Sequence, residues 1–275
     1  MNIGTKQELV VVNKVDFGVY LAEEGGEEKV LLPKKQVPEN LKVGDRLEVF
    51  LYKDSKDRLI ATTNEPKMKL GEIARCRVLE IGKIGAFLDW GLEKDLLLPF
   101  REMTAKVEAD DEILAALYVD KSGRLCGTMK LYHYLETSYP CQKGDWVEGT
   151  VYEISDNFGA FVAIDDKYQG LIPKKEVTKN IKVGNHVKAR VTAVKSDGKI
   201  DLSLNELSYI QINIDAKKLL DRLEKEGRLP FNDRANPELI RKETDMSKNE
   251  FKKAIGNLLK AGKIEIRPDS IVLKK

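Results

Sequence analysis

The sequence predicts a multidomain chain in which three small five-stranded β-barrels precede a C-terminal α+β domain of three helices and a β-hairpin. The first observation is a glycine-centred run of aromatic and aliphatic residues. It occurs three times, at residues 16–21, 83–90 and 157–164, and each copy is followed by an aliphatic pair and a proline. The second observation is that apolar residues change from a strand period to a helix period at Asp215. A unit repeated in tandem usually means several small domains of one kind.

The third copy shows the strand pattern of one unit most clearly. Apolar residues alternate with polar or larger ones over residues 147–151, which is the period of a β-strand. Asp156 and Asn157 are turn residues, and after Gly159 the residues of 160–164 alternate again between two faces. Each unit thus offers about five short strands, the strand count of a partly open Greek-key barrel of the OB-fold class.

The repeats set the predicted domain boundaries. Residues 1–64 form the first barrel, 65–139 the second barrel with a short connecting helix at 131–139, and 140–209 the third barrel. In the second unit Ile84 stands where the other two copies have their first aromatic residue. We therefore expect a weaker aromatic surface on the second barrel.

Residues 210–275 are predicted to form a winged-helix domain. Helical periodicity begins at Asp215 and ends at Gly227. A second helix is predicted at 237–243, where Asn236 can cap the N-terminus and proline occupies the first helical position.

The third helix of this domain is predicted to begin after Ser247, because Glu250 follows at the spacing of a capping box. It ends near Gly262, and two short strands follow at 264–266 and 270–273. The predicted buried stripe of this helix consists of Phe251, Ala254, Ile255, Leu258 and Leu259.

Composition places the chain among soluble globular proteins, with 33% charged and 42% hydrophobic residues over 275 positions. No stretch approaches the roughly 18 consecutive apolar residues of a membrane helix. The N-terminus carries no apolar signal region. Three scattered cysteines are too few for a disulfide framework and favour a reducing compartment. We expect a cytoplasmic, monomeric protein that does not act at a membrane.

The positive charge of the chain is concentrated at its C-terminal end. Residues 210–275 contain 16 Lys and Arg against 11 Asp and Glu, a net charge of +5. The three preceding segments carry −1, −2 and zero, and the whole chain carries +2. A polyanion would therefore be drawn to the last domain.

The sequence offers no pattern typical of an enzyme site. Its two histidines, His133 and His186, are too few for a histidine metal cluster, and no Cys-x-x-Cys pair suggests structural zinc. A glycine-rich phosphate-binding loop is also missing, and the carboxylates are scattered. We expect a protein that is not an enzyme and that uses no cofactor and no metal.

The aromatic residues of the repeat are candidates for stacking on nucleic-acid bases. Phe158 and Phe161 are three apart, so a regular strand would put them on opposite faces, whereas a kink at Gly159 would bring both rings to one outer face. Exposed aromatic rings on a bent sheet stack with unpaired bases. The alternative is that both rings are core residues, as most aromatics in small barrels are.

The run at 151–176 resembles the S1 RNA-binding domain, a barrel of the OB class. Three such units followed by a winged helix resemble the conserved virulence factor B family, also called the YitL type, of bacterial RNA-binding regulators. The resemblance implies that the paired aromatics stack on RNA bases. The rings that it assigns to this role are Phe17, Tyr20, Phe87, Phe158 and Phe161.

The resemblance also has a gap, because the wider S1 pattern places a histidine after the Gly-Leu-Leu run as a third contact. In this chain that position is Pro33, Pro99 and Pro173. Lysine pairs follow two of these prolines and are either phosphate contacts or ordinary solvated residues. These pairs are Lys34 with Lys35 and Lys174 with Lys175.

Three functions are compatible with this organisation. The leading hypothesis is a post-transcriptional regulator of gene expression that binds single-stranded RNA, with virulence-factor expression in pathogens implied by the resemblance. The second is a DNA-binding transcription regulator that uses the winged helix. The third is an adaptor associated with the ribosome or a ribonuclease. The cations that the winged helix would contribute are Lys248, Lys252, Lys253, Lys260, Lys263 and Arg267.

Overall fold

The computed structural model describes residues 1–178, 180–204 and 208–274, which form two compact units, Met1–Leu204 and Asn205–Lys275. Parts of the predicted third and fourth domains, namely residues 179, 205–207 and 275, lie outside the described residues. The predicted architecture of three five-stranded barrels and a winged helix is confirmed.

The first barrel is closed, with strand order β1-β2-β3-β5-β4. All neighbouring strands are antiparallel except β3 and β5, which run parallel. Its core is the aliphatic cluster that the alternating pattern places on the inner face, with Leu9, Leu21 and Leu32 fully buried. The strands are β1 (Lys6–Val15), β2 (Gly18–Ala22), β3 (Lys29–Pro33), β4 (Arg46–Lys53) and β5 (Leu59–Thr62).

The second barrel is a five-stranded sheet of order β10-β9-β6-β7-β8, which is the order of the first barrel opened between β8 and β10. These two edge strands lie close together, so the barrel is nearly closed. The predicted helix at 131–139 is reduced to one 3-10 turn, Leu131–His133. The strands are β6 (Ile73–Ile81), β7 (Gly85–Asp89), β8 (Leu96–Pro99), β9 (Glu112–Val119) and β10 (Leu125–Thr128).

The third barrel is closed in the order β11-β12-β13-β15-β14. The alternation predicted after Gly159 is confirmed, because Ala160, Val162 and Ile164 point into the core while Ala163 packs on the opposite face. The strands are β11 (Trp146–Ser155), β12 (Gly159–Ile164), β13 (Tyr168–Pro173), β14 (His186–Val194) and β15 (Ile200–Ser203).

The three barrels are packed against one another within the first unit. Between the first two, Phe50 and Tyr52 lie 5.9 and 6.3 Å from the ring centroid of Trp90 in edge contacts. Between the second and third, the Arg75 guanidinium donates to the Asp166 carboxylate at 2.6 and 2.9 Å. A buried cluster that includes residues of both barrels lies at the same boundary. The barrels therefore hold fixed positions relative to each other.

The second unit is a winged helix whose helices pack on a three-stranded antiparallel sheet of order β16-β18-β17. The Asn236 cap and the capping box of Ser247 and Glu250 are both present, as predicted. The prediction that Leu259 belongs to the buried stripe is wrong, because its side chain is 48% exposed. The elements are α1 (Ser208–Glu226), β16 (Arg228–Leu229), α2 (Pro237–Thr244), α3 (Lys248–Lys260), β17 (Ile264–Ile266) and β18 (Ile271–Leu273).

The cysteines are free thiols placed in or near the barrel cores. Burial raises the pKa of Cys76 and of Cys126 to about 11, which keeps both protonated and poorly reactive at neutral pH. None of the helices in the described part of the chain combines the length and the apolar character that a membrane crossing needs.

Candidate nucleic-acid interface

The bend at Gly159 determines where the aromatic pair of the third barrel points. Gly159 has φ +125°, and a Cβ atom there would lie 2.1 Å from the Ile172 carbonyl oxygen and 2.6 Å from the Lys174 nitrogen. No side chain fits such a close approach between β12 and β13. Only glycine therefore lets the chain turn tightly enough to present residues on both sides of the bend.

Across this bend the two rings of the third barrel come together. The ring centroids of Phe158 and Phe161 are 6.3 Å apart with an interplanar angle of 60°. Phe158 is 62% exposed, whereas Phe161 is half-buried. The structure thus brings the predicted pair side by side but leaves only the first ring largely free.

Phe161 is half-buried because a ring of its own barrel and a ring of the connection after the second barrel pack against it. Its ring centroid lies 5.9 Å from that of Tyr132 and 6.0 Å from that of Tyr152. Tyr152 is buried, and this burial raises the pKa of its phenol. A hydrophobic cluster around Leu131 and Leu135 supports the same region. Phe161 is therefore a partly structural ring with one open side.

The first barrel presents a similar pair. Phe17 is 58% exposed, and Tyr20 is half-buried beside it, with ring centroids 6.5 Å apart and planes at 85°. Gly18 meets the same constraint as Gly159, because a Cβ there would lie 2.1 Å from the Leu32 carbonyl oxygen. The glycine between the two aromatics thus has the same structural role in both barrels.

The second barrel differs in two ways from the other two. Ile84, exposed to the same extent as Phe158, replaces the first ring. The second ring, Phe87, lines a cleft together with residues of the first barrel. In that cleft Arg124 pairs with Asp57, and the Lys94 ammonium donates to the Asp54 carbonyl at 2.8 Å. The hairpin of the first barrel thus lines the cleft next to Phe87.

The residues that carry the exposed rings of the first and third barrels are each hydrogen-bonded, through the backbone, to a lysine. The backbone N–H of Lys174 donates to the Phe158 carbonyl at 3.0 Å, and that of Lys34 donates to the Phe17 carbonyl at 2.9 Å. Lys174 and Lys175 are exposed in the 3-10 turn after β13. A cation at this position can meet the phosphate of a nucleotide whose base stacks on the neighbouring ring.

A groove beside Phe161 contains residues that the sequence did not single out. Tyr132, Lys195 and Lys199 line it together with the aromatic pair of the third barrel. The aromatic-rich segment at 131–139 was a signal for Tyr132, but it was interpreted as a connecting helix. Lys195 and Lys199 flank a hairpin turn, where exposed lysines are common. Their spacing therefore does not distinguish them from ordinary surface residues.

The predicted cations of the winged helix fall into two groups. Lys252, Lys253, Lys260 and Lys263 are exposed, and no carboxylate among the described residues forms an ion pair with them. Lys248 instead donates to the Ala235 carbonyl at 2.9 Å, and Arg267 lies 3.3 Å from Glu265. The four free cations are the better candidates for phosphate contacts.

Within the described ranges, no three His, Cys, Asp or Glu side chains are placed to hold a metal ion. His133 and His186, the two histidines of the chain, are both exposed.

Comparison with known proteins agrees with this architecture domain by domain. The S1 domain model matches residues 3–64 and 70–130, the S1 RNA binding domain model matches 141–205, and the CvfB-like winged helix domain model matches 217–273. The uncharacterized protein YitL of Bacillus subtilis is 30% identical, over 96% of this chain and 91% of its own length. The chain belongs to the conserved virulence factor B family.

Two further proteins are similar over the same domains. A conserved virulence factor B of Staphylococcus aureus is 27% identical, over 99% of this chain and 94% of its own length. A crystal structure described as a multidomain protein with nucleic acid binding domains, from Streptococcus pneumoniae, is 26% identical. The structural match covers 99% of this chain and 98% of the Streptococcus pneumoniae chain, with a TM-score of 0.52. The domains of this family member are of nucleic-acid-binding types.

Proposed function

We propose that this protein binds single-stranded RNA in the cytoplasm and acts, as a monomer without catalytic activity, in post-transcriptional regulation of gene expression. The observation that carries the proposal is Phe158, an exposed ring on a glycine bend in the barrel that matches the S1 RNA binding domain, with its backbone carbonyl hydrogen-bonded to the N–H of the exposed Lys174. Exposure of an apolar ring to water is unfavourable in free energy unless a flat partner covers the ring. An unpaired base is such a partner.

Two sets of side chains would contribute to RNA binding. The rings of the first and third barrels stack on bases, which is tolerant of sequence because every base has a π-face. The free lysines of the winged helix contact phosphates, which adds affinity that decreases as salt increases. The names of the Staphylococcus relatives, which are called conserved virulence factor B, suggest expression of virulence factors as the regulated process in pathogens.

The proposal is tested by measuring the affinity of the full chain for three probes of equal length. These are an unstructured single-stranded RNA, the same sequence as single-stranded DNA, and the duplex DNA, each over a series of KCl concentrations. We expect the tightest binding for RNA, with a Kd that rises steeply with salt. A preference for duplex DNA would favour a transcription regulator using the winged helix. Absence of affinity for all three probes would favour a protein adaptor.

The contribution of the winged helix is expected to appear in the salt dependence. Replacing Lys252 and Lys253 with alanine removes two exposed cations from α3. If both contact phosphates, the slope of log K against log salt should decrease by about 1.4, since each contact with a single strand contributes about 0.7. The measurement is filter binding of the double variant at four salt concentrations.

A matched control separates a contact from a change in net charge. Lys217 and Lys218 are exposed on α1 of the same domain, and replacing both with alanine removes the same charge. We expect a smaller change of slope in this control than in the α3 variant. Equal slopes for the α3 variant and the wild type would remove α3 from the binding surface.

A further inference from the structure

The groove beside Phe161 is built from two parts of the chain. It has a volume of about 300 Å³, the lower end of the range for sites that hold a small ligand. Its lining includes Phe158 and Phe161 together with the β14–β15 hairpin, which contributes Lys195 and Lys199. The remaining ring is Tyr132, which belongs to the connection after the second barrel. The groove is therefore complete only when that connection is docked.

The connection is fixed to the third barrel by hydrogen bonds. The Gln169 side-chain amide donates to the Tyr132 carbonyl at 2.8 Å and to the Leu135 carbonyl at 3.1 Å. The Gln169 backbone N–H donates to the Glu136 carbonyl at 2.9 Å, and the Glu136 backbone N–H donates in turn to the Lys167 carbonyl at 2.8 Å. Residues around Glu136 thus extend the sheet beyond β13, and Tyr132 is held in place rather than carried on a free linker.

The three rings meet at angles that suit a stacked base. The planes of Tyr132 and Phe161 are turned by 85°, and those of Phe158 and Phe161 by 60°. A flat group that stacks on one ring therefore makes an edge contact with another, which is a favourable arrangement of aromatic groups. Tyr132 is 37% exposed, so part of its surface is open to a ligand.

The charges in the groove are nearly balanced. Lys199 lies 2.9 Å from Asp197 and 5.7 Å from the centroid of the Tyr132 ring, and Lys195 lies 2.8 Å from Asp201. Each cation already has a carboxylate partner, so the groove has no strong net charge of its own. Affinity in this groove should therefore come from ring contact more than from charge.

The corresponding cleft of the second barrel, next to Phe87, is lined by charged residues of the first and second barrels. Arg124 occupies the position of Lys199, directly after the hairpin glycine, and it pairs with Asp57 of the first barrel. In the second barrel, a charged hairpin of the first barrel therefore lines the cleft that contains Phe87. The aromatic residues Tyr52 and Trp90 that line this cleft are buried, whereas Tyr132 offers a partly exposed ring to the groove of the third barrel.

We propose that Tyr132 is a nucleobase-binding residue, and that it completes a three-ring site for one unpaired nucleotide together with Phe158 and Phe161. This inference rests on the proposed RNA-binding function and adds to it a residue from outside the barrel. The base stacks within the three rings, and ring contact supplies most of its affinity. Tight binding by the third barrel then depends on the docked connection from the second.

The test uses the full chain with three substitutions at one position. Tyr132→Leu keeps apolar packing but lacks a π-face, Tyr132→Ala removes the side chain, and Tyr132→Phe keeps the ring. We expect the Leu and Ala variants to bind an unstructured single-stranded RNA about tenfold more weakly, with an unchanged salt slope, since stacking on one ring is worth about that much. The Phe variant should bind like the wild type.

A second measurement reports on stacking itself. A single-stranded RNA that carries 2-aminopurine should lose fluorescence on binding to the wild type and to Tyr132→Phe, and less so on binding to Tyr132→Leu. Thr137→Ala, at an exposed position of the same connection, is the control for disturbance of the connection and should leave both measurements unchanged. Equal affinity and quenching for Tyr132→Leu and the wild type would overturn the inference while leaving the proposed function in place. A wild type that binds no RNA would overturn the proposed function first.

Discussion

Replacing Phe158 with alanine is expected to weaken binding of single-stranded RNA by about tenfold, and replacing Phe161 as well by about a hundredfold. The reason is that each stacked base contributes roughly 1–3 kcal/mol, and 1.4 kcal/mol corresponds to a factor of ten. Phe158 is exposed and packs little, so the single variant should keep the thermal stability of the wild type. The measurement is a titration of fluorescently labelled RNA, with a thermal melt of each variant.

The second barrel supplies a matched control for this experiment. Ile84 occupies the position of Phe158 and is exposed to the same extent, but its side chain has no π-face. Ile84→Ala should therefore leave RNA affinity unchanged, whereas Phe17→Ala in the first barrel should weaken it. A Phe158→Ala protein that has lost its cooperative melt would show that the ring is a core residue. A stable Phe158→Ala protein with wild-type affinity would remove base stacking at this ring from the mechanism.

The aromatic pair illustrates which part of a site is visible in a sequence. Its glycine, its two rings and their common face follow from local rules, because a bend inside a strand is encoded within a few residues. The half-burial of Phe161 does not follow from them. It depends on Tyr152 of the neighbouring strand β11 and on Tyr132, which reaches the ring only because the connection after the second barrel is docked on the third.

Docking between the barrels was not predictable from the repeat. The ion pair of Arg75 and Asp166 joins residues 91 positions apart, and each is an ordinary surface charge in its own unit. The cleft around Phe87 has the same origin, since Asp54 and Asp57 belong to a hairpin that looked like a solvated turn. Repetition predicts the units, whereas the contacts between them depend on residues in which the units differ.

In the winged helix too, local features were predictable from the sequence, whereas contacts between distant residues were not. Capping residues act within one turn, so the starts of α2 and α3 were predicted correctly from Asn236 and Ser247. Leu259 was assigned to the buried face because it lies next to Leu258, but the stripe of α3 that contacts the rest of the domain is narrower than the apolar pattern. The strand β16 has two residues, too few for any periodicity.

The largest expected effect on stability is that of Gly159→Ala. The new Cβ would lie 2.1 Å from the Ile172 carbonyl oxygen, so β12 and β13 would have to separate, and alanine is also strained at φ +125°. Backbone strain of about 1–3 kcal/mol and overpacking of about 1–3 kcal/mol should together lower the stability of the third barrel by several kcal/mol. Hydrogen exchange measured by mass spectrometry checks this, with faster exchange in β11–β15 and unchanged exchange in β1–β5.

Gly184 separates the two causes, because it belongs to the same barrel and has φ +90° with no atom within 4 Å of the point that a Cβ would occupy. Gly184→Ala therefore introduces strain without a clash and should cost about 1–3 kcal/mol. If Gly159→Ala exchanges no faster than Gly184→Ala, the close approach of β12 to β13 is not needed for stability. If the bend is needed, Gly159→Ala should weaken RNA binding more than Phe158→Ala does. Loss of the bend displaces both Phe158 and Phe161, whereas the point substitution removes one ring and leaves the other in place.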